Sequence, residues 1–127
     1  MKKLAVTSSK LRPPVGPFSA GIQAGNLIFI SGQIGMDPAT GKLAASEVEA
    51  QTEQVFANLR SVLEACGRTF DDAVRVGVYL TDMNHFARMN AVYAKHFQEP
   101  FPARTTIGVA ALPLGAMVEI DMWVLAS

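Results

Sequence analysis

Residues 46–81, SEVEAQTEQVFANLRSVLEACGRTFDDAVRVGVYLT, decide the fold because they predict a long helix followed by a strand. Ser46, with Glu49 three residues later, is typical of a capping box, in which each side chain satisfies a free backbone N–H at the helix start. Gly67 then provides a left-handed C-terminal stop. Between them, mostly apolar residues recur at helical spacing and predict one buried stripe: Val48, Thr52, Val55, Phe56, Leu59, Val62, Leu63 and Cys66.

The strand after this helix, Ala73 to Thr81, alternates with period two, so that Val74, Val76, Val78 and Leu80 face one way. A second helix is expected from about Met83 to Phe97, with strands near Ala103 to Val109 and Met117 to Leu125. Together with an N-terminal hairpin, this order predicts a single α+β domain over residues 1–127. It has a mixed sheet of about six strands with two helices packed on one face.

The N-terminal hairpin is predicted by Ser19 to Ala24 and Leu27 to Ser31, which flank the turn residues Gly25-Asn26. Its second strand, Leu27-Ile28-Phe29-Ile30, is apolar on both sides, as in a strand whose two faces are both covered. Two helices on one face cannot cover the other face. Another copy of the chain is the simplest cover, so the sequence predicts a homo-oligomer.

Composition argues against several classes of partner. Eleven basic and eleven acidic residues cancel, so no net field favours nucleic acid or anionic lipid. Cys66 is the only cysteine, which excludes an internal disulfide and suits a reducing compartment. The apolar run near Met1 ends by Thr7, too early for a signal peptide, and no stretch approaches transmembrane length. The sequence therefore predicts a cytoplasmic protein without a membrane partner.

Metal and cofactor motifs are not found in the sequence. His85 and His96 are eleven residues apart on one predicted helix, which separates them by about 16 Å, too far to ligate one metal. Both are expected to face solvent. Gly32-Gln-Ile-Gly35 does not have the spacing of a phosphate-binding loop. We therefore expect neither a metal nor an organic cofactor.

Five polar positions lie where chemistry is plausible. Arg104 lies between apolar neighbours at the start of a strand. Its guanidinium either binds the carboxylate or phosphate group of a ligand or forms a salt bridge to Glu119 or Asp121. Those two acids share one face of the last strand, where burial would raise a carboxyl pKa for proton transfer, or where they form ordinary interface ion pairs. Asn90 interrupts the apolar stripe of the second predicted helix. Its buried amide needs a hydrogen-bond partner, which is most often a backbone group. Ser31 binds a ligand or only caps a turn.

These residues belong to a series of motifs that resembles the RidA/YjgF family over essentially the whole chain. The motifs, in order, are Gly16-Pro17-Phe18-Ser19, Ile30-Ser31-Gly32-Gln33-Ile34, Met89-Asn90-Ala91-Val92-Tyr93, Phe101-Pro102-Ala103-Arg104-Thr105 and Val118-Glu119-Ile120. The resemblance implies a chorismate mutase-like homotrimer, in which the sheets form a central barrel and three sites lie in clefts between subunits.

The resemblance also implies an activity, the hydrolysis of 2-imino or enamine acids to 2-keto acids and ammonia without a cofactor. Arg104 matches the carboxylate-binding arginine of the family, and Glu119 matches the acid that positions or activates water. Ser31 and Asn90 match polar positions around the site, and the backbone of Thr106 is expected to contact the ligand.

Two positions depart from the family pattern. Phe18 stands where many members carry tyrosine, so a hydroxyl is lost, and Thr106 stands where deaminase-active members often carry cysteine. Neither change touches Arg104 or Glu119, and Phe18 is expected to alter substrate preference. Two rival functions remain: a non-catalytic binder or sensor of small keto acids, and RNA binding or cleavage, against which the neutral net charge argues.

Overall fold

The computed structural model describes residues 2–127, which form one six-stranded sheet, a small hairpin and two α-helices. The helices are α1 (Val48–Ala65) and α2 (Phe86–Tyr93). The strands are β1 (Lys3–Val6), β2 (Gly21–Ala24), β3 (Leu27–Ile34), β4 (Met36–Asp37), β5 (Lys42–Leu43), β6 (Ala73–Leu80), β7 (Ala103–Gly108) and β8 (Val118–Leu125). Neither helix in this part of the chain is long and apolar enough to cross a membrane.

The large sheet has the strand order β1-β2-β3-β8-β6-β7, and the hairpin is formed by β4 and β5. All neighbours in the large sheet are antiparallel except β6 and β7, which are parallel and are joined through α2. Helix α1 packs against β3 and β8, and α2 packs against α1. The predicted α+β class, with a mixed sheet and two helices on one face, is confirmed. Strand β1 and the β4–β5 hairpin were not predicted.

Helix α1 carries the predicted stripe, which is buried from Val48 to Leu63. Gly67 ends the helix with φ 68°, and the N–H of Arg68 donates to the Leu63 carbonyl at 2.9 Å. The predicted capping box is wrong. The helix begins after Glu47, which makes no side-chain cap, because Glu47 and Glu49 both bind the Arg88 guanidinium at 2.7–2.9 Å and tie α1 to α2.

The second predicted helix is divided into a 3-10 turn, Met83–His85, the α-helix α2, and another 3-10 turn, Ala94–His96. The expectation that both histidines face solvent is wrong. His96 stacks on Phe56 with ring centroids 4.1 Å apart, and its Nε2 lies 3.1 Å from a Glu53 carboxylate oxygen. His85 is also mostly buried. The tighter turns at both ends of α2 direct these rings inward.

Strand β6 alternates as predicted except at its start. The register shifts between Ala73 and Arg75, so that Ala73 enters the core and Val74 is exposed. A bulge inserts one extra residue, so that the side chains before it point to the opposite face of the sheet. From Val76 onward, the predicted alternation holds.

The sheet face opposite the helices is called the open face and carries Phe29, Tyr79, Glu119, Asp121 and Trp123. Phe29 and Trp123 pack edge to face with ring centroids 5.3 Å apart, yet remain 36% and 42% exposed. No element among residues 2–127 covers these two rings. Strand β3 is apolar on both sides, as the sequence indicated. One side faces the core, and the other lies on the open face, which no element among residues 2–127 covers.

Candidate functional site

Arg104 is held on the helix side of the edge strand β7, where it pairs in register with the core residue Val76. Its Nη1 donates a 2.7 Å hydrogen bond to the Asn90 side-chain oxygen. The guanidinium lies over the ring of Tyr93, 4.5 Å from the centroid, and 5.6 Å from that of Phe86. No carboxylate among residues 2–127 pairs with it. Glu119 and Asp121 lie on the open face, so the salt-bridge alternative is wrong.

The two neighbours of Arg104 leave hydrogen-bonding capacity free. Asn90 was expected to bind backbone, but its partner is Arg104, and a neutral amide orients the guanidinium without neutralising it. Thr106, two residues along the same face of β7, has a buried hydroxyl with no hydrogen-bond partner within residues 2–127. Unsatisfied buried polar atoms are uncommon in native structures. We call Asn90, Tyr93, Arg104 and Thr106 the Arg104 half-site.

Glu119 lies on the open face of β8, directly over the backbone of Gly32. A Cβ atom at Gly32 would lie 2.5 Å from the Glu119 Oε2 atom, so only glycine leaves room for the carboxyl group. Burial raises the pKa of Glu119, and the nearby Asp121 carboxylate raises this pKa further. Asp121 accepts a 2.9 Å hydrogen bond from the Tyr79 hydroxyl, which raises the pKa of Tyr79.

Phe18 lines the same cleft as Glu119, whereas Ser31 does not line it and binds the loop that carries Phe18. The Ser31 hydroxyl donates a 2.6 Å hydrogen bond to the Ser19 carbonyl, and its N–H donates to Ala20 at 3.0 Å. Ser31 thereby fixes the loop that carries Phe18, whose side chain is 56% exposed. Phe18 and Glu119 line a cleft of about 460 Å³, the Glu119 cleft, whose other walls include Leu11, Pro14, Gly32, Ile34, Met36 and Leu114.

The candidate residues thus form two groups in one chain. Arg104 and Glu119 are on opposite faces of the sheet and on strands separated by β6, about 10 Å apart across the sheet alone. The sequence indicated that Gly32 permits a close approach to the backbone, but it did not indicate Tyr93 or Leu114 as site residues. Tyr93 lies three residues after Asn90, a spacing that places both on one helical face and could have indicated it. No cluster of three metal-ligating side chains occurs among residues 2–127.

The raised pKa of Glu119 predicts how the stability of the folded protein depends on pH. The folded protein binds this proton more tightly than the unfolded chain, so the group contributes stability below the ordinary pKa of 4.5 and loses it as the pH rises. Glu119→Gln keeps the shape without the charge. We expect it to raise the urea midpoint above wild type at about pH 8, with a difference that shrinks as the pH falls toward 4.5. Equal midpoints at about pH 8, measured at fixed chain concentration, would contradict the desolvated carboxylate.

Comparisons with known proteins agree on one family. The profile of the Endoribonuclease L-PSP family matches residues 9–126. A RutC family protein of Pyrococcus horikoshii is 45% identical over 121 residues, 95% of each chain. The 2-iminobutanoate/2-iminopropanoate deaminase of Dermatophagoides farinae is 40% identical over 122 residues, again 95% of each chain. A Rid-family structure from Yersinia pestis superimposes with a TM-score of 0.94 at 36% identity, covering 98% of this chain and 99% of that one. The chain therefore belongs to the Endoribonuclease L-PSP family, the RidA/YjgF family that its motifs resemble.

Proposed function

We propose that this protein hydrolyses 2-imino acids, and the enamines in equilibrium with them, to 2-keto acids and ammonia. One observation carries the proposal: a half-buried guanidinium is held by a neutral amide and an aromatic ring, with no acid beside it. Its remaining donors match the two oxygens of a carboxylate. Relatives at about 40% identity that are named 2-iminobutanoate/2-iminopropanoate deaminase support the reaction class.

The chemistry requires little beyond orientation and one proton-transfer group. Arg104 binds the substrate carboxylate and thereby fixes the neighbouring imine carbon. Glu119 accepts a proton from water as the water oxygen bonds to that carbon, and returns it to the nitrogen to give a carbinolamine. Glu119 then moves the hydroxyl proton of this adduct to the nitrogen, so that the C=O bond forms, the C–N bond breaks and ammonia leaves. A raised pKa brings the Glu119 carboxyl closer to working pH, where it both accepts and returns a proton. An imine is already electrophilic, so the proposal needs no cofactor or metal.

In this proposal, the Arg104 half-site of one copy of the chain meets the Glu119 cleft of another copy. A small substrate cannot touch Arg104 and Glu119 of one chain, because the sheet lies between them. A homotrimer whose open faces line a central barrel, as the family resemblance implies, would cover Phe29 and Trp123 and bring the β7 edge of one copy to the Glu119 cleft of the next. Each trimer would then hold three equivalent sites.

Binding without turnover is the second candidate, because Phe18 lacks the hydroxyl that many relatives carry at the cleft. A protein that only senses 2-keto acids needs Arg104 but has little use for the carboxyl of Glu119. Glu119→Gln separates these functions, since it should retain keto-acid affinity while losing turnover. If turnover survives in this variant, the enzyme mechanism given above is wrong.

The direct test couples the purified protein to a threonine dehydratase and follows release of 2-ketobutyrate, with semicarbazide present to trap free imine. We expect faster keto-acid release and less trapped imine, with both effects lost in Arg104→Ala. The dehydratase alone is the control for spontaneous hydrolysis. An unchanged partition between keto acid and trapped imine, for both threonine- and serine-derived imines, would leave the binding function as the better description.

A further inference from the structure

Leu114 has an unusual backbone conformation for its residue type. With φ 58° and ψ 16°, it is the only non-glycine residue among residues 2–127 with positive φ. In this left-handed region the Cβ atom crowds the backbone, and glycine or asparagine is the ordinary occupant. Gly115 follows with φ 70°, and Pro113 precedes it in the same turn. The turn thus holds a leucine where glycine would be less strained.

Packing in the core does not offset this strain, because the side chain of Leu114 is 60% exposed. The side chain instead lines the Glu119 cleft, together with Phe18. Strained residues of this kind cluster at active sites and ligand clamps. Two large and exposed apolar side chains, Phe18 and Leu114, therefore line the same cleft as Glu119.

The outer part of the Glu119 cleft is apolar, and its polar side chains are mostly engaged with backbone. The Arg12 guanidinium donates to the carbonyls of Pro38 and Ala39 at 2.9 and 3.3 Å. The Asn58 amide donates to the carbonyls of Ile34 and Met36 at 3.2 and 2.9 Å. At about 460 Å³, the cleft has the size of a small-molecule pocket and far exceeds a methyl or ethyl group.

We propose that Leu114 is a specificity-determining residue, which together with Phe18 clamps a large apolar side chain of the imino acid. This inference rests on the proposed function for the reaction itself. Substrates derived from methionine, leucine or phenylalanine fill the cleft and remove Leu114 and Phe18 from water, whereas the three- and four-carbon imines leave the cleft wet. The protein therefore prefers 2-imino acids with long or aromatic side chains.

The test compares the phenylalanine-derived imine, generated by an L-amino-acid oxidase, with the serine-derived imine from a serine dehydratase. We expect wild type to favour the phenylalanine-derived imine by about tenfold in kcat/KM, and Leu114→Gly to lower that ratio about tenfold, mainly through KM. Leu4→Gly, which removes an equally exposed leucine (58%) from the edge strand β1, should not change the ratio. The thermal midpoint of Leu114→Gly should equal or exceed that of wild type, because glycine relaxes the backbone.

Two outcomes would overturn the clamp: a wild-type preference for the serine-derived imine, or a lower midpoint in Leu114→Gly with an unchanged ratio. The second would make Leu114 a structural residue. Should no imine be hydrolysed, calorimetry with 4-phenyl-2-oxobutanoate and pyruvate still decides the question. Tighter binding of the phenyl compound, lost in Leu114→Gly, would support the clamp although the proposed reaction had failed, and equal affinities would refute it.

Discussion

Arg104→Ala is expected to lower kcat/KM for imine hydrolysis by at least about 100-fold while the protein still folds and assembles. A charge-assisted hydrogen bond contributes about 1.5–3 kcal/mol, and a guanidinium offers two to one carboxylate. Each 1.36 kcal/mol changes the rate tenfold. Arg104→Lys keeps the charge but not the planar fork, so it should recover only a small part of the activity. Steady-state kinetics with the coupled dehydratase measures both variants.

The fold should survive because Arg104 lies on an edge strand and makes one side-chain hydrogen bond, to Asn90. Arg60→Ala is the matched control, since it removes another guanidinium held over an aromatic ring, that of Phe70 at 5.3 Å, on α1. It should retain full activity. If Arg104→Ala precipitates or loses its cooperative unfolding transition, Arg104 is a structural residue and its role as carboxylate ligand loses its support.

The proposed composite site, formed by Arg104 of one copy and Glu119 of the next, gives this variant a further expected result. Arg104→Ala and Glu119→Gln are each inactive alone, but trimers assembled from an equal mixture should regain activity at about a quarter of the sites, where each copy supplies its intact half. Separate trimers mixed without exchange serve as the control. A mixture that stays inactive after verified subunit exchange would mean that both residues act within one chain, or that the site uses only one of them.

Phe29→Glu is expected to dissociate the protein into single chains and to abolish activity. The carboxylate would lie at the centre of the open face, beside Trp123. Burying an unpaired charge there is unfavourable, and the aromatic contact with Trp123 is lost as well. Sedimentation should give the wild type about three times the 13.6 kDa mass of the chain, and the variant that of one chain. Circular dichroism should still report a folded protein, because Phe29 lies outside the core between sheet and helices.

Leu4→Glu is the matched control for this prediction, because Leu4 is more exposed than Phe29 but lies on the edge strand β1. It should assemble and turn over like wild type. A trimeric Phe29→Glu protein would show that the copies associate through a surface other than the open face, and the composite site would then need another arrangement.

Most of the fold could be predicted from local patterns, and the departures have local causes. The stripe of α1 and the stop at Gly67 are helix properties that depend on neighbouring residues alone. Ser46 was misassigned because Glu49, expected to cap the helix, binds Arg88, which is 39 residues away in the chain. Val74 was misassigned because a bulge leaves no mark in the alternation of the residues around it.

The candidate site could be predicted only in part. Arg104 and Glu119 stood out by residue type and by motif, and the strand alternation placed Glu119 with Asp121 on one face. That Arg104 points to the other face follows from the parallel pairing of β7 with β6, which depends on a crossover and not on neighbouring residues. Leu114 gave no signal at all, because nothing in the sequence Pro113-Leu114-Gly115 announces that the left-handed position falls on leucine.

The contact between Gly32 and Glu119 makes two positions that are 87 residues apart in the chain depend on each other. An alanine at position 32 would displace the carboxyl oxygen, the movable end of a flexible side chain, so the fold would tolerate the change while the acid lost its place. Such epistasis hides from a search for the acid alone. We therefore expect a chain with glutamate at position 119 and a side chain at position 32 to hold its carboxyl group in a different place.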